Sequence, residues 1–321
     1  MKSITELTDF YYNELYPSLK ELEEQRLQMV WKIKLYGSFW FIFSSLILIY
    51  ILKQRGFIDP IFFLFLFGTI ILGGVIYDWF SKDYHGIFKT TVIAPIVRAI
   101  DPSLLYNPGF PIAQSLFERS GLFRHSIDYY NGNDYVKGTI EGTELEFSDV
   151  HAEYDIEDAK GRKHRQTLFK GLFIVSGFNK HFKGKTIILP DSAENNFGSL
   201  LGGWLQSMNF SRGDLVRMDD PEFEKYFAVY SNDQIEARYI LSHSMMKRIT
   251  DLRKRLNVSL YISFISNHMH VAIETRRDHF EPNVFTSLLD YQQTLEYIRT
   301  LQNTIGLIEE LKLNEKLWSK E

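Results

Sequence analysis

Two uncharged apolar runs, 35–52 (LYGSFWFIFSSLILIYIL) and 61–77 (IFFLFLFGTIILGGVIY), constrain this chain more than anything else in it. Only the polar stretch KQRGFIDP separates them. At 1.5 Å per residue each run covers roughly 26 Å, close to the ~30 Å hydrocarbon core of a bilayer. A Lys or Asp at mid-span would cost about 2.5 to 3.5 kcal/mol, whereas each Leu, Ile or Phe contributes roughly −0.5, so runs of this composition insert. Tyr36, Trp40, Tyr50, Tyr77 and Trp79 stand near the run ends, where interfacial rings keep an apolar body in the acyl region and a polar tip among headgroups. The competing reading is a hairpin buried in a soluble core. Two adjacent runs of this length without a charge weigh against it. A cleaved signal peptide fits worse, because the first run starts more than thirty residues in and a second follows at once.

The flanking cations set an orientation. Arg26, Lys32 and Lys34 precede the first run and Lys82 and Lys89 follow the second, against Lys53 and Arg55 in the connection. The excess predicts a multi-pass membrane protein with both termini in the cytoplasm and the hairpin tip on the far side.

Beyond the anchor, 321 residues with 15% aromatics leave room for a substantial core. Thirty-six Lys+Arg against 40 Asp+Glu give a net charge of −4, which lacks the basic signature of a general nucleic-acid binder. There is no cysteine. Disulfides, thiolate nucleophiles and Cys-based metal sites are thereby excluded, and no cofactor is implied.

Apolar positions from Leu7 to Val30 recur every three or four residues and predict an amphipathic helix interrupted near Pro17. Similar spacing over 84–100 predicts a juxtamembrane helix ended by Asp101-Pro102. The character then changes. Strand-like stretches occupy 135–140, 143–154, 167–178 and 187–189, with shorter ones at 215–218 and 227–230 and a hairpin at 258–273 turning at Ser266-Asn267. Helices are predicted at 112–119, at 191–208 with a stripe from Phe197 to Met208, after Asp233, and at 245–256, which is strongly basic. The near-heptad apolar repeat from Leu288 to Leu311 predicts a long C-terminal helix. Its partner is the N-terminal helix of the same chain or its copy in a homo-oligomer. The fold class is therefore α+β: an N-terminal helix (1–34), a transmembrane helical hairpin (35–80), a juxtamembrane helix (81–100), a mainly antiparallel sheet domain (101–285) and a C-terminal helix (286–321).

Charge changes sign along the predicted strands. Residues 141–158 hold eight acids and no Lys or Arg, and 160–185 hold eight bases and no acid. One reading is cross-strand pairing in an antiparallel hairpin, each pair contributing a few tenths to about one kcal/mol. The other takes Lys163, Arg165, Lys180, His181, Lys183 and Lys185, with Phe182 at a loop tip, as a surface for anionic headgroups, each base adding about 1 kcal/mol near such a surface. His268 and His270 share one face of a strand, with Glu274 further along, a weak metal candidate without a further ligand nearby. Asp219, Asp220, Glu222 and Glu224 cluster around Pro221, which is also an ordinary helix start. The glycines of 198–203 lack the lysine of a phosphate-binding loop.

The motifs FKGLFIVSGFNK (169–180), ILPD (188–191), DPEFE (220–224), VYSND (229–233), EARY (236–239), TRRD (275–278), FEP (280–282) and LNEKLW (313–318) resemble bacterial membrane proteins grouped as domain of unknown function 3137. The resemblance implies a membrane hairpin followed by a cytoplasmic domain, and a LemA-like membrane protein as partner. It brings no established reaction and no catalytic residues. The function expected is a membrane-anchored cytoplasmic binding or scaffold domain for a protein partner or anionic lipid. The alternative is a membrane-bound hydrolase using carboxylates with His268 and His270.

Overall fold

The computed structural model describes Glu6 and residues 9–55, 59–140, 142–158, 160–178, 181–191 and 213–312. Lys180, the predicted helix over 192–208 with its glycines, and the 313–318 motif lie outside the described residues. In chain order the helices are α1 (Tyr16–Arg55), α2 (Pro60–Phe88), α3 (Ala94–Ile100), α4 (Gln114–Arg119), α5 (Pro221–Glu224), α6 (Gln234–Ile240), α7 (His243–Leu256) and α8 (Tyr291–Lys312). The strands are β1 (Leu105–Asn107), β2 (Tyr129–Ile140), β3 (Thr143–Glu157), β4 (Lys163–Gly177), β5 (Lys185–Pro190), β6 (Asp214–Val216), β7 (Phe227–Ser231), β8 (Ser259–Ile265) and β9 (His268–Glu274). The fold is α+β. The chain divides into two compact units, one of the described residues up to Ile100 with Phe280–Ile298, the other of Asp101–His279 with the described residues from Arg299 onward.

In the first unit, α1 and α2 are long and apolar enough to cross a membrane, and only 6% of either apolar window is buried. Asp59 caps α2 by accepting from the Ile61 N–H at 2.7 Å, and Pro60 occupies the first helical position, where a missing N–H costs nothing. Pro17 does not interrupt the N-terminal helix. It sits in the first turn of α1, directly after a π-helical turn at Tyr11–Leu15. A second π-helical turn, Lys89–Ile93, joins α2 to α3 without a break. The predicted stripe is buried at Tyr11, Leu15, Leu19 and Leu22, while Leu27 lies on the open side. Tyr11 meets Tyr291 of the same chain, ring centroids 4.8 Å apart.

Among the described residues, the second unit is built on a nine-stranded antiparallel sheet in the order β1-β2-β3-β4-β9-β8-β5-β7-β6. One row of paired residues crosses it from edge to edge: Tyr106, Val136, Phe147, Ile174, Val271, Ile262, Ile188, Val229 and Val216. From Val136 onward every member is buried and most are β-branched, the side chains that pack best on a pleated surface. On the opposite face Phe117 of α4 packs against Phe173, with ring centroids 4.9 Å apart, in a cluster with Phe169, Val175 and Ala272. Both faces of β4 are thus covered, and its sequence runs LFIV without alternation. Sequence periodicity missed β1 and the first residues of β2, where a bulge places Asp134 at φ 61° with the Tyr106 hydroxyl on its carboxylate.

Candidate functional site

The basic run is divided by the fold. Lys163 and Arg165 start β4 at the turn end of the β3–β4 hairpin, directly opposite Glu157 and Asp155. The Arg165 guanidinium lies 3.4 Å over the Tyr129 ring and 3.8 Å from Glu153. Asp158 gathers the turn, accepting from Arg162 Nε at 2.9 Å with His164 Nε2 at 3.3 Å. Cross-strand pairing describes this half. His181, Lys183 and Lys185 lie beyond the far end of β4, about 40 Å away along the strand at 3.3 Å per residue. There exposed His181, Lys183 and Lys185 alternate with buried Phe182, Gly184 and Thr186.

Two anchors hold that second group. The Glu236 carboxylate accepts the N–H groups of Lys183 at 3.1 Å and Gly184 at 2.7 Å. Asn232 Oδ1 accepts the Lys185 N–H at 2.6 Å. The ammonium groups of Lys183 and Lys185 face solvent with no ion-pair partner among the described residues. Phe182 is not a membrane-seeking tip. It is 2% exposed and packs on Phe178 and Phe264.

His268, His270 and Glu274 do not converge. Four residues along a strand span about 13 Å, which separates Glu274 from His270. Glu274 instead accepts from Arg276 Nε at 3.0 Å and the Tyr261 hydroxyl at 3.4 Å. His270 is buried, and its row across the sheet is Val175, His270, Ser263, Ile187 and Tyr230. The Ser263 hydroxyl donates to the Ser120 carbonyl at 2.7 Å and so accepts from His270 Nδ1 at 3.2 Å. Burial, aided by neighbouring His268, pushes His270 down to about 4. Among the described residues no three His, Cys, Asp or Glu are grouped to hold a metal. The acidic cluster at 219–224 is a helix start, with Asp220 accepting from the Glu222 and Phe223 N–H groups and Glu224 from that of Met218.

Sequence reasoning missed the buried charges of the first unit. Arg26 and Lys89, counted above as flanking cations, are each 5% exposed. Arg26 makes a two-pronged contact with Glu23 at 2.7 and 2.8 Å and donates to the Val284 carbonyl. Glu23 also accepts from the Ser287 hydroxyl and the Leu288 N–H, both at 2.9 Å. Lys89 Nζ lies 2.6 Å from Glu281, with His85 Nδ1 3.2 Å from the same carboxylate. The available signal was spacing: Glu23 and Arg26 are three apart, and Lys89 falls among Phe88, Val92 and Ile93 on the helix stripe. In the second unit Asp149 takes both the N–H and Nδ1 of His279, at 2.8 and 2.7 Å.

The segment 167–313, which includes most of the strands and contacts above, matches the model of a family described as Protein of unknown function (DUF3137). No curated protein matches the chain. Among solved structures, the crystal structure of the mycobacterial trehalose monomycolate transport factor A, TtfA, is similar at a TM-score of 0.29 and 12% identity, over 63% of this chain and 88% of that one. Within the DUF3137 stretch the quoted motifs have structural work: Asp220 and Asp233 cap helices, Glu236 clamps the start of β5, and Gly171 lets β9 approach β4.

Proposed function

We propose that this protein is a membrane-anchored scaffold of the bacterial cytoplasmic membrane, with α1 and α2 as spans, both termini and the sheet unit in the cytoplasm, and no chemistry of its own. The observation that carries this reading is the near-complete exposure of both apolar windows, because apolar surface on this scale requires lipid or a partner to cover it. Lys183 and Lys185 present cations suited to anionic headgroups, with exposed His181 beside them, and the sheet unit is the surface for a protein partner. The hydrolase alternative draws on His268 and His270 together, whereas His270 is buried and held by Ser263 and only His268 is partly exposed.

The cysteine-free chain makes the test clean. In intact bacterial cells a Lys53→Cys variant is expected to react with a membrane-impermeant maleimide, and Lys82→Cys only after lysis. Labelling of Lys82→Cys in intact cells would overturn the orientation, and extraction of the protein by alkaline carbonate would overturn the anchor. Detergent purification of the full chain then identifies the partner, a LemA-like protein being one outcome.

A further inference from the structure

Along one side of the helical hairpin runs a groove of about 760 Å³. Its α1 wall is Lys32, Tyr36, Trp40 and Phe43, at the spacing of one helix face, and Ile76 and Trp79 form the α2 side. Lys32 to Phe43 spans about 16 Å at 1.5 Å per residue, the depth of one leaflet of a ~30 Å core. Tyr36 stacks on Phe80 with centroids 5.4 Å apart, bridging the two helices. The Trp40 indole N–H donates to the Thr69 carbonyl at 3.1 Å, so its polar atom is committed and its ring lines the floor. Lys32, at the polar end, is the groove's one charged lining residue and is exposed, with no acidic partner among the described residues.

The geometry points to a bound anionic phospholipid from the leaflet on the Lys32 side, one acyl chain lying in the groove and the phosphate on the Lys32 ammonium. An aromatic-walled trough one leaflet deep with a cation at its mouth matches that ligand in both charge and depth. Lys34, two residues away, stands over a separate groove with Trp31 and Ile42 and provides an internal control. The inference rests on α1 and α2 being spans, which the Lys53→Cys labelling tests independently.

Native mass spectrometry of the full chain, released from detergent containing equal phosphatidylglycerol and phosphatidylcholine, reads the occupant directly. One retained phosphatidylglycerol per chain is expected, favoured about fivefold, the effect of one basic side chain at an anionic surface. Lys32→Ala is expected to bring the ratio near one and Lys34→Ala to leave it unchanged. Ile76→Trp, which fills the trough, is expected to remove the retained lipid. Equal effects of Lys32→Ala and Lys34→Ala, or undiminished lipid in Ile76→Trp, would show annular lipid only and overturn the site. A lipid-free dimer would overturn it in favour of a second copy of the chain.

Discussion

Glu23 and Arg26, one turn apart on α1, meet at 2.7 Å with side chains 10% and 7% exposed, and together hold the segment 284–288 through three further atoms, the Val284 carbonyl, the Ser287 hydroxyl and the Leu288 N–H. Burial alone would raise the pKa of Glu23. Hydrogen bonds from Arg26, the Leu288 N–H and the Ser287 hydroxyl outweigh it and hold the carboxyl below its usual range. Because the folded pKa is depressed, this contribution is present above the ordinary carboxylate range and is lost as pH falls through the folded value.

Removing one partner strands the other in a buried site, which costs about 3–5 kcal/mol, whereas replacing both with apolar residues costs far less per group. Glu23→Gln and Arg26→Met are each expected to lower the melting temperature of the full chain in detergent strongly. The double variant is expected to lose less than the sum of the singles. Strict additivity in the thermal melts would show that the two residues are not coupled.

His270 gives a second pH dependence of opposite origin. Its folded pKa is pushed to about 4 from 6.5 by burial, so between those values the unfolded chain takes up a proton that the folded chain refuses. Stability therefore falls as pH drops from 6.5 toward 4, by about 3 kcal/mol in total at 1.36 kcal/mol per pKa unit. His270→Gln retains a polar group for Ser263 and removes the titration. Melting temperatures of the two proteins at pH 7.5 and 5 are expected to converge at the lower pH, and parallel curves would rule the imidazole out as the cause.

Gly171 tests why the DUF3137 stretch carries glycine in FKGLF. A Cβ there would sit 2.1 Å from the Ile273 carbonyl oxygen and 2.7 Å from the Thr275 nitrogen, both backbone atoms that cannot swing aside. Gly171→Ala must push β9 from β4, and overpacking of this kind typically costs about 1–3 kcal/mol. Gly86→Ala, with nothing within 4 Å of the added carbon, is the control and is expected to leave the melting temperature unchanged or slightly higher. Equal melting of both variants would mean that β9 can shift freely.

The sheet was legible because β-branched and aromatic residues recur where strands pair, as in Val271, Ile262 and Ile188. Caps at Asp220, Asp233 and Ser242 were legible for a local reason: each side chain accepts from an N–H two or three residues on. What sequence could not supply was long-range. Glu281 meets Lys89 across nearly two hundred residues of chain, and no periodicity announces such a pair. The division of the basic run was hidden for the same reason, since adjacency from Lys163 to Lys185 conceals a fifteen-residue strand that begins with Lys163 and Arg165 and ends at Gly177, before His181.

That separation makes a prediction that divides the predicted headgroup residues. Lys183 and Lys185 are exposed and without ion-pair partners among the described residues, and the backbone beneath them is fixed by Glu236 and Asn232. Lys163 and Arg165 stand opposite carboxylates about 40 Å away along β4. With the full chain in nanodiscs, acetylation of Lys183 and Lys185 by an amine-reactive ester is expected to fall about fivefold when anionic lipid replaces neutral lipid. Lys163 is expected to react equally in both. At 1 M salt, where the screening length shrinks to about 3 Å, the protection is expected to vanish. Protection of Lys163 to the same degree would return the whole 160–185 run to a single surface, and unprotected Lys183 and Lys185 would leave the headgroup reading without residues to carry it.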